Sequence, residues 1–218
     1  MKAFIYSILI PSFMAIMISG CANTNGAYYA GMEKAGFHKR DIMVSRVEKV
    51  QDSQKDAQEE FKSALEQFET LVTIKDSNLK SVYEKFNNEY EDAKDAAEDL
   101  SSRIDKLEDV SLALFEEWEE ELNLYKNPKL KSQSSQKLRN TQSKYKKMMS
   151  SMRSSEKSME PILNTFQDNV LILKHSLNAQ AIGALEGEFS SLKKEVKILI
   201  SQMNQSIKES DTFIKEMN

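Results

Sequence analysis

The sequence predicts an all-α protein, an elongated up-down-up-down four-helix bundle with coiled-coil-like packing. Three observations carry this. Gly and Pro are scarce (six and three of 218 residues), while Ala, Glu, Lys, Leu and Ser abound, a usage typical of long helices. Apolar residues recur at alternating spacings of four and three through most of the chain, the seam of a coiled coil. The seams are broken only by short polar stretches that cap helices, and short connections make consecutive helices antiparallel neighbours. No alternating β pattern is present.

The chain opens with a leader. Lys2 is a minimal charged region, Ala3 to Ile18 an apolar core, and small residues follow, the three parts of a secretory signal. The core is shorter than the roughly 20 residues of a spanning helix and contains Pro11. It ends on Ile18-Ser19-Gly20-Cys21, which reads as a lipobox: a branched apolar residue, two small residues, then the single cysteine. The expected chemistry is diacylglycerol transfer to the Cys21 thiol, removal of residues 1–20 and acylation of the new N-terminus. Acyl chains of the palmitate type anchor at about 0.8 kcal/mol per buried methylene. Ala22 follows where an Asp would favour inner-membrane retention in a Gram-negative cell, so outer-membrane sorting is expected, with the chain facing the periplasm. Residues 21–36 read as a lipidated tether holding three glycines and the pair Tyr28-Tyr29. The pair suits a lipid interface or the cover of the bundle's end.

The helical unit is expected over 37–218, with helices at about 37–74, 78–126, 128–177 and 179–217. The first seam is Met43, Val47, Val50, Gln54, Ala57, Phe61, Ala64, Phe68 and Leu71, with one polar member. Lys75-Asp76-Ser77-Asn78 ends it, since short polar side chains compete for backbone bonds and cap the next helix. The second seam runs Leu79, Tyr83, Phe86, Tyr90, Ala93, Ala97, Leu100, Ile104, Leu107, Ser111, Leu114 and Trp118, with Leu122 and Tyr125 closing it. Asn127-Pro128 then supplies a cap and a first-turn proline. The third seam is Leu138, Tyr145, Met149, Met152, Met159, Leu163, Phe166, Val170, Leu173 and Leu177. Pro161 should kink or interrupt it. A tight turn at Leu177-Asn178-Ala179 is expected, against a continuous helix with a stutter, because Gly183 and Gly187 weaken a helix interior. The fourth seam is Leu185, Phe189, Leu192, Val196, Leu199, Met203, Ser206 or Ile207, Ser210, Phe213 and Met217.

Several segments resemble a known family. Residues 33–42 (Glu-Lys-Ala-Gly-Phe-His-Lys-Arg-Asp-Ile), 114–119 (Leu-Phe-Glu-Glu-Trp-Glu), Met159-Glu160-Pro161 and 173–182 (Leu-Lys-His-Ser-Leu-Asn-Ala-Gln-Ala-Ile) look like recurring stretches of a proteobacterial lipoprotein family. It is catalogued only as a domain of unknown function, numbered 2959. Ser176 departs from the Asn expected at that place. The resemblance implies a Gram-negative source and an all-helical fold over essentially the whole mature chain. It implies no activity.

Candidate chemistry is sparse. His38 near the start of the first helix and His175 at the end of the third would lie at opposite ends, so they cannot share a metal. At a helix C-terminus His175 is placed to bond a neighbouring carbonyl. Glu116, Glu117, Glu119, Glu120 and Glu121 read as a solvated face. Met148, Met149, Met152 and Met159 read as core rather than a soft-metal site, and Trp118 as core whose indole N–H needs a partner. No zinc spacing, phosphate-cradling loop or nucleophile elbow is present. No catalytic residue, metal or cofactor is expected, and the chain reads as a non-enzyme. From Cys21 onward there are 29 basic and 34 acidic residues, a balance that argues against a nucleic-acid surface.

Charge is strongly segregated. Residues 84–121 hold 15 acids and four bases, whereas 122–155 hold nine bases and no acid. The expectation is that the two helices lie antiparallel and neutralise each other. A second expectation is that the tip at Asn127-Pro128 projects about 15 Å beyond the shorter outer helices, where Lys126, Lys129 and Lys131 would meet anionic headgroups. Together these features predict an outer-membrane lipoprotein, membrane-bound through Cys21, acting as a structural or protein-interaction scaffold for envelope partners, with oligomerisation open. The alternative is a lipid- or amphiphile-binding protein using the basic hairpin tip.

Overall fold

The computed structural model describes residues 28–29, 31–32, 36, 38–73 and 79–217. The leader, the lipobox residues Ile18, Ser19, Gly20 and Cys21, most of the tether and the turn at 74–78 lie outside the described residues. Five helices account for nearly all of the rest: α1 (Lys39–Thr73), α2 (Leu79–Glu121), α3 (Pro128–Lys157), α4 (Met159–His175) and α5 (Ala179–Met217). No strand occurs among the described residues. Helices α3 and α4 together form one leg, so the architecture is a four-helix bundle.

Contacts between the legs run in opposite directions along each neighbouring pair. Between α1 and α2, Ser53 donates to Asp99 (2.7 Å), and further along Phe68 stacks on Phe86 (5.1 Å). Between α2 and α3, Arg153 meets Asp105 (2.7 Å) while Trp118 donates to Ser134 (2.9 Å). Between α1 and α5, Gln51 reaches Asp211 (2.8 Å) and Lys193 reaches Glu69 (3.4 Å). In each pair one number rises as the other falls, which makes the order up-down-up-down. At 1.5 Å per residue the 43 residues of α2 set a rod about 65 Å long.

The seams became the core. Every first-seam position, Gln54 included, has no exposed surface. The second seam is buried from Phe86 to Leu114, and Ser206 rather than Ile207 fills the open choice in the fourth. Two aromatic clusters tie the legs together. Phe166 of α4 lies between Phe61 (6.4 Å) and Phe86 (5.8 Å), and Phe68 meets Phe189 of α5 (6.0 Å). Toward the other end Tyr145 of α3 packs on Phe115 (5.3 Å) and Phe213 (6.3 Å). Between them lies a polar layer. Gln54 donates to Ser155 (3.2 Å), Gln58 to Asn204 (3.2 Å), and Gln51 to the Ile207 carbonyl (3.1 Å). Such pairs fix register, because a slip would leave a buried amide without its partner.

The third leg breaks at Ser158, three residues before Pro161. Proline has no N–H for the carbonyl four residues back and its ring crowds that turn, here the turn of Lys157. The Ser158 N–H instead turns back to the Ser154 and Ser155 carbonyls (3.3 and 3.2 Å). Beyond the break the buried face shifts, so Ile162 (1 % exposed), outside the expected seam, enters the core, while Met148 (1 % exposed) is core as its helical spacing predicts. At the far end Ser176, Leu177 and Asn178 leave the helix, and the Asn178 side chain accepts from the Ala181 N–H (3.0 Å). The turn, not the continuous helix with a stutter, is what forms. Gly183 and Gly187 sit inside α5 with open space around them.

Candidate functional site

The end of the bundle that carries the α2–α3 turn is built differently from the rest. Helix α2 stops at Glu121 rather than near residue 126. Turn bonds from Asn123 to Glu120 (3.0 Å) and Leu124 to Glu121 (2.9 Å) follow. Tyr125, expected to close the seam, is 41 % exposed in the loop, while Leu122 still packs on the core. The physical reason is that a seam needs a facing helix, and α1 and α5 have already ended. Arg40 of α1 and Met217 of α5 line the same small cavity (about 230 Å³) as Trp118 of α2 and Lys137 of α3, which sets the level where four helices become two. From there the nine residues back to Pro128 span about 14 Å of overhang.

Local chemistry fixes the tip. Asn127 is extended (φ −92°, ψ 115°) and its Oδ1 accepts from the Lys129 and Leu130 N–H groups (2.9 and 3.4 Å), with Pro128 next in the first turn. Below it the Trp118 indole N–H donates to Ser134 (2.9 Å), joining the two arms of the hairpin. Residues 123–133 are all exposed. They include Leu124 at 73 % and Leu130 at 49 %. Lys126, Lys129 and Lys131 stand among them and form no ion pair among the described residues.

The expected neutralisation of α2 by α3 does not hold. Among the described residues only Arg153 of the nine bases pairs with α2 carboxylates, those of Asp105 (2.7 Å) and Glu108 (2.6 Å). Lys144 and Lys147 pair instead with Glu216 and Glu209 of α5, the latter at 3.5 Å. Helix α3 has two neighbours, and the upper half of its basic face points at α5. The acidic surface of α2 therefore stays largely open to solvent, with Asp95, Glu98, Glu116 and Glu120 all exposed.

The other candidates are placed as follows. His38 and His175 are both exposed, about 50 Å apart along the 35 residues of α1. His175 makes no hydrogen bond among the described residues; the Ile172 carbonyl is taken by the Ser176 N–H (3.0 Å). The four methionines are core, at 0–7 % exposure, and Trp118 is half-buried with its partner found. Tyr29 is buried on the flank of α1, not at the bundle's end. Its OH accepts from Arg46 (2.9 Å), and the guanidinium lies 5.5 Å from the ring centre. Burial, more than the opposing pull of Arg46, raises the Tyr29 pKa. Tyr28 beside it is exposed.

One group was not visible in the sequence. Carboxylate oxygens of Glu60, Glu89 and Asp92 lie within 4.8 Å of one another across the α1–α2 interface. Burial, followed by Asp92 and Glu89, raises the Glu60 pKa. Finding it requires the register of two helices, which local spacing does not give. A groove of about 510 Å³ opens where α3 gives way to α4 and is lined by Tyr90, Ala97, Ser101, Glu156, Met159 and Leu163, among others. No histidine lines it.

Among the described residues no helix is long and apolar enough to cross a membrane. No curated protein matches the chain. The family described as "Protein of unknown function (DUF2959)" matches residues 28–217, a span that contains every helix described above. The chain belongs to that family.

Proposed function

We propose that this chain is an envelope lipoprotein, tethered through Cys21 to the periplasmic side of the outer membrane, where it serves as a structural or protein-interaction scaffold. The leader, the Ile18-Ser19-Gly20-Cys21 sequence and Ala22 support the address. The observation that carries the scaffold reading is the surface of α2. Its acids are not consumed by α3, so a long rod presents an acidic flank with Asp95, Glu98, Glu116 and Glu120 open to solvent. A charged, extended face of this kind steers and selects partners more than it encloses a small molecule.

Site-specific photo-crosslinkers at Asp95 and Glu116, in the native host, test this. A discrete protein adduct dependent on those positions is expected. If neither position yields one, while the protein is present at its normal level, the scaffold reading fails. A second reading, binding of lipid or another amphiphile, is favoured by one specific feature: apolar and basic side chains stand exposed together at the hairpin tip.

A further inference from the structure

Single exposed leucines are ordinary on protein surfaces. The tip differs in grouping. Leu124 (73 % exposed), Tyr125 (41 %) and Leu130 (49 %) fall within seven residues of chain, at the convex end of the rod, with Lys126, Lys129 and Lys131 between and beside them. No acid occurs from residue 122 to 155, and the three lysines have no ion-pair partner among the described residues. Exposed apolar side chains interspersed with lysines match the headgroup–acyl boundary of a bilayer, where apolar side chains enter and ammonium groups meet phosphate. A projecting tip suits a soft, flat surface, whereas burying it in a protein would need a matching cavity in the partner.

We infer that the α2–α3 tip is a bilayer-docking element: Leu124, Tyr125 and Leu130 enter the boundary region of an anionic membrane while Lys126, Lys129 and Lys131 bind its headgroup phosphates. This deepens the amphiphile reading and specifies its ligand as a membrane surface. The tether length agrees with docking on the membrane that holds the anchor. Tyr29 lies beside Arg46, seven residues or about 10 Å along α1 from Lys39, and the overhang adds about 14 Å. The seven residues from Cys21 to Tyr28 can span at most about 25 Å, so anchor and tip can reach one bilayer.

The test uses residues 22–218 without lipid, which include all of the buried core found among the described residues, Tyr29 to Met217. With Cys21 absent the chain has no other cysteine, so Leu124→Cys carries a single environment-sensitive fluorophore, and Ile198→Cys on the exposed body is its control. On vesicles containing phosphatidylglycerol at low salt, the label at 124 should shift toward the blue and the label at 198 should not. Neutral phosphatidylcholine vesicles or high salt should abolish most of the binding. Changing Lys126, Lys129 and Lys131 together to Gln should weaken partition about a hundredfold, at the usual weight of a basic side chain near an anionic surface. Leu124→Ser with Leu130→Ser should weaken it about tenfold through lost apolar burial, with circular dichroism showing the helices intact. The inference is overturned by no binding at low salt, by binding that neither set of changes reduces, or by a label at 124 that stays as water-exposed as the one at 198. This chain carries no lipid, so failure here removes the docking tip and leaves the Cys21 anchor standing.

Discussion

Arg153 is the one base of α3 that pairs with α2 carboxylates among the described residues, and its removal should be felt. Its guanidinium donates to Asp105 (2.7 Å) and Glu108 (2.6 Å) on α2 and to both oxygens of Glu156 (3.2 and 3.0 Å) on its own helix. Burial works against its charge, but the hydrogen bonds it donates to Glu108, Asp105 and Glu156 outweigh this and hold it protonated. Asp105 and Glu108 are well exposed (64 and 49 %), and such pairs contribute about 0.5 kcal/mol each. Glu156 is only 19 % exposed, so its charge-assisted bonds should contribute about 1 kcal/mol. Arg153→Gln should therefore cost about 2 kcal/mol, lowering Tm by about 4–8 °C for a chain of this size. Arg153→Lys should recover only part, since an ammonium lacks the fork that reaches three carboxylates. Urea unfolding of residues 22–218 followed by circular dichroism reads this directly, and high salt should shrink the difference. If Arg153→Gln lies within about 0.5 kcal/mol of the unaltered chain, the packing of α2 against α3 described above is wrong.

Other substitutions test the core and the surface. Phe166→Ala, which empties a site touched by Phe61 and Phe86, should cost about 3–5 kcal/mol in the same urea assay. Gly183→Ala and Gly187→Ala have open space for a Cβ and should each stabilise by about 0.5–1 kcal/mol; destabilisation would show that α5 is not helical there. Burial, then the charges of Asp92 and Glu89, oppose the ionised form of Glu60, so its raised pKa means folding is favoured as pH falls through that value. Glu60→Gln should thus stabilise at pH 7 by less than about 1 kcal/mol, and the gain should vanish well below the ordinary value of 4.5, where Glu60 is protonated in both states. Asp99 has the opposite sign. The Arg103 hydrogen bond lowers its pKa despite burial, with Ser53 adding to it, so its contribution is present above 3.8 and lost as pH falls through the lowered value. Asp99→Asn should therefore destabilise at pH 7 and converge with the unaltered chain in acid.

The core of this fold was legible because a rod-like bundle has a nearly one-dimensional interior: each helix buries one stripe, and a stripe is a spacing. Every position that reasoning named from Met43 through Leu71 and from Phe86 through Leu114 is buried, though it left out Val110. It failed where the spacing continued but the neighbours did not, as at Tyr125, where α1 and α5 have ended. It also missed Ile162, where the break at Ser158 shifts the stripe between α3 and α4. Partner choice was harder still. A run of bases beside a run of acids suggested mutual neutralisation, yet Lys144 and Lys147 turn to α5, whose acids are spread thinly enough to escape notice. The Glu60 cluster needed the register of two helices, 29 residues apart in sequence at their nearest members. At the candidate site the lysines were visible as composition. The exposure of Tyr125 was not, since a residue that continues a seam reads as core until the end of the facing helices is known.

We propose that Cys21 is the lipidated N-terminus of a rod held at the outer membrane. Mass spectrometry of the N-terminal peptide of the protein purified from native outer membranes tests it most directly. The expected peptide begins at Cys21 and carries diacylglycerol on the thiol with an acyl chain on the amine, and Cys21→Ser should abolish the modification and leave no salt-resistant outer-membrane fraction. A peptide that begins at any other residue, or a mature chain with a free Cys21 thiol, would contradict it.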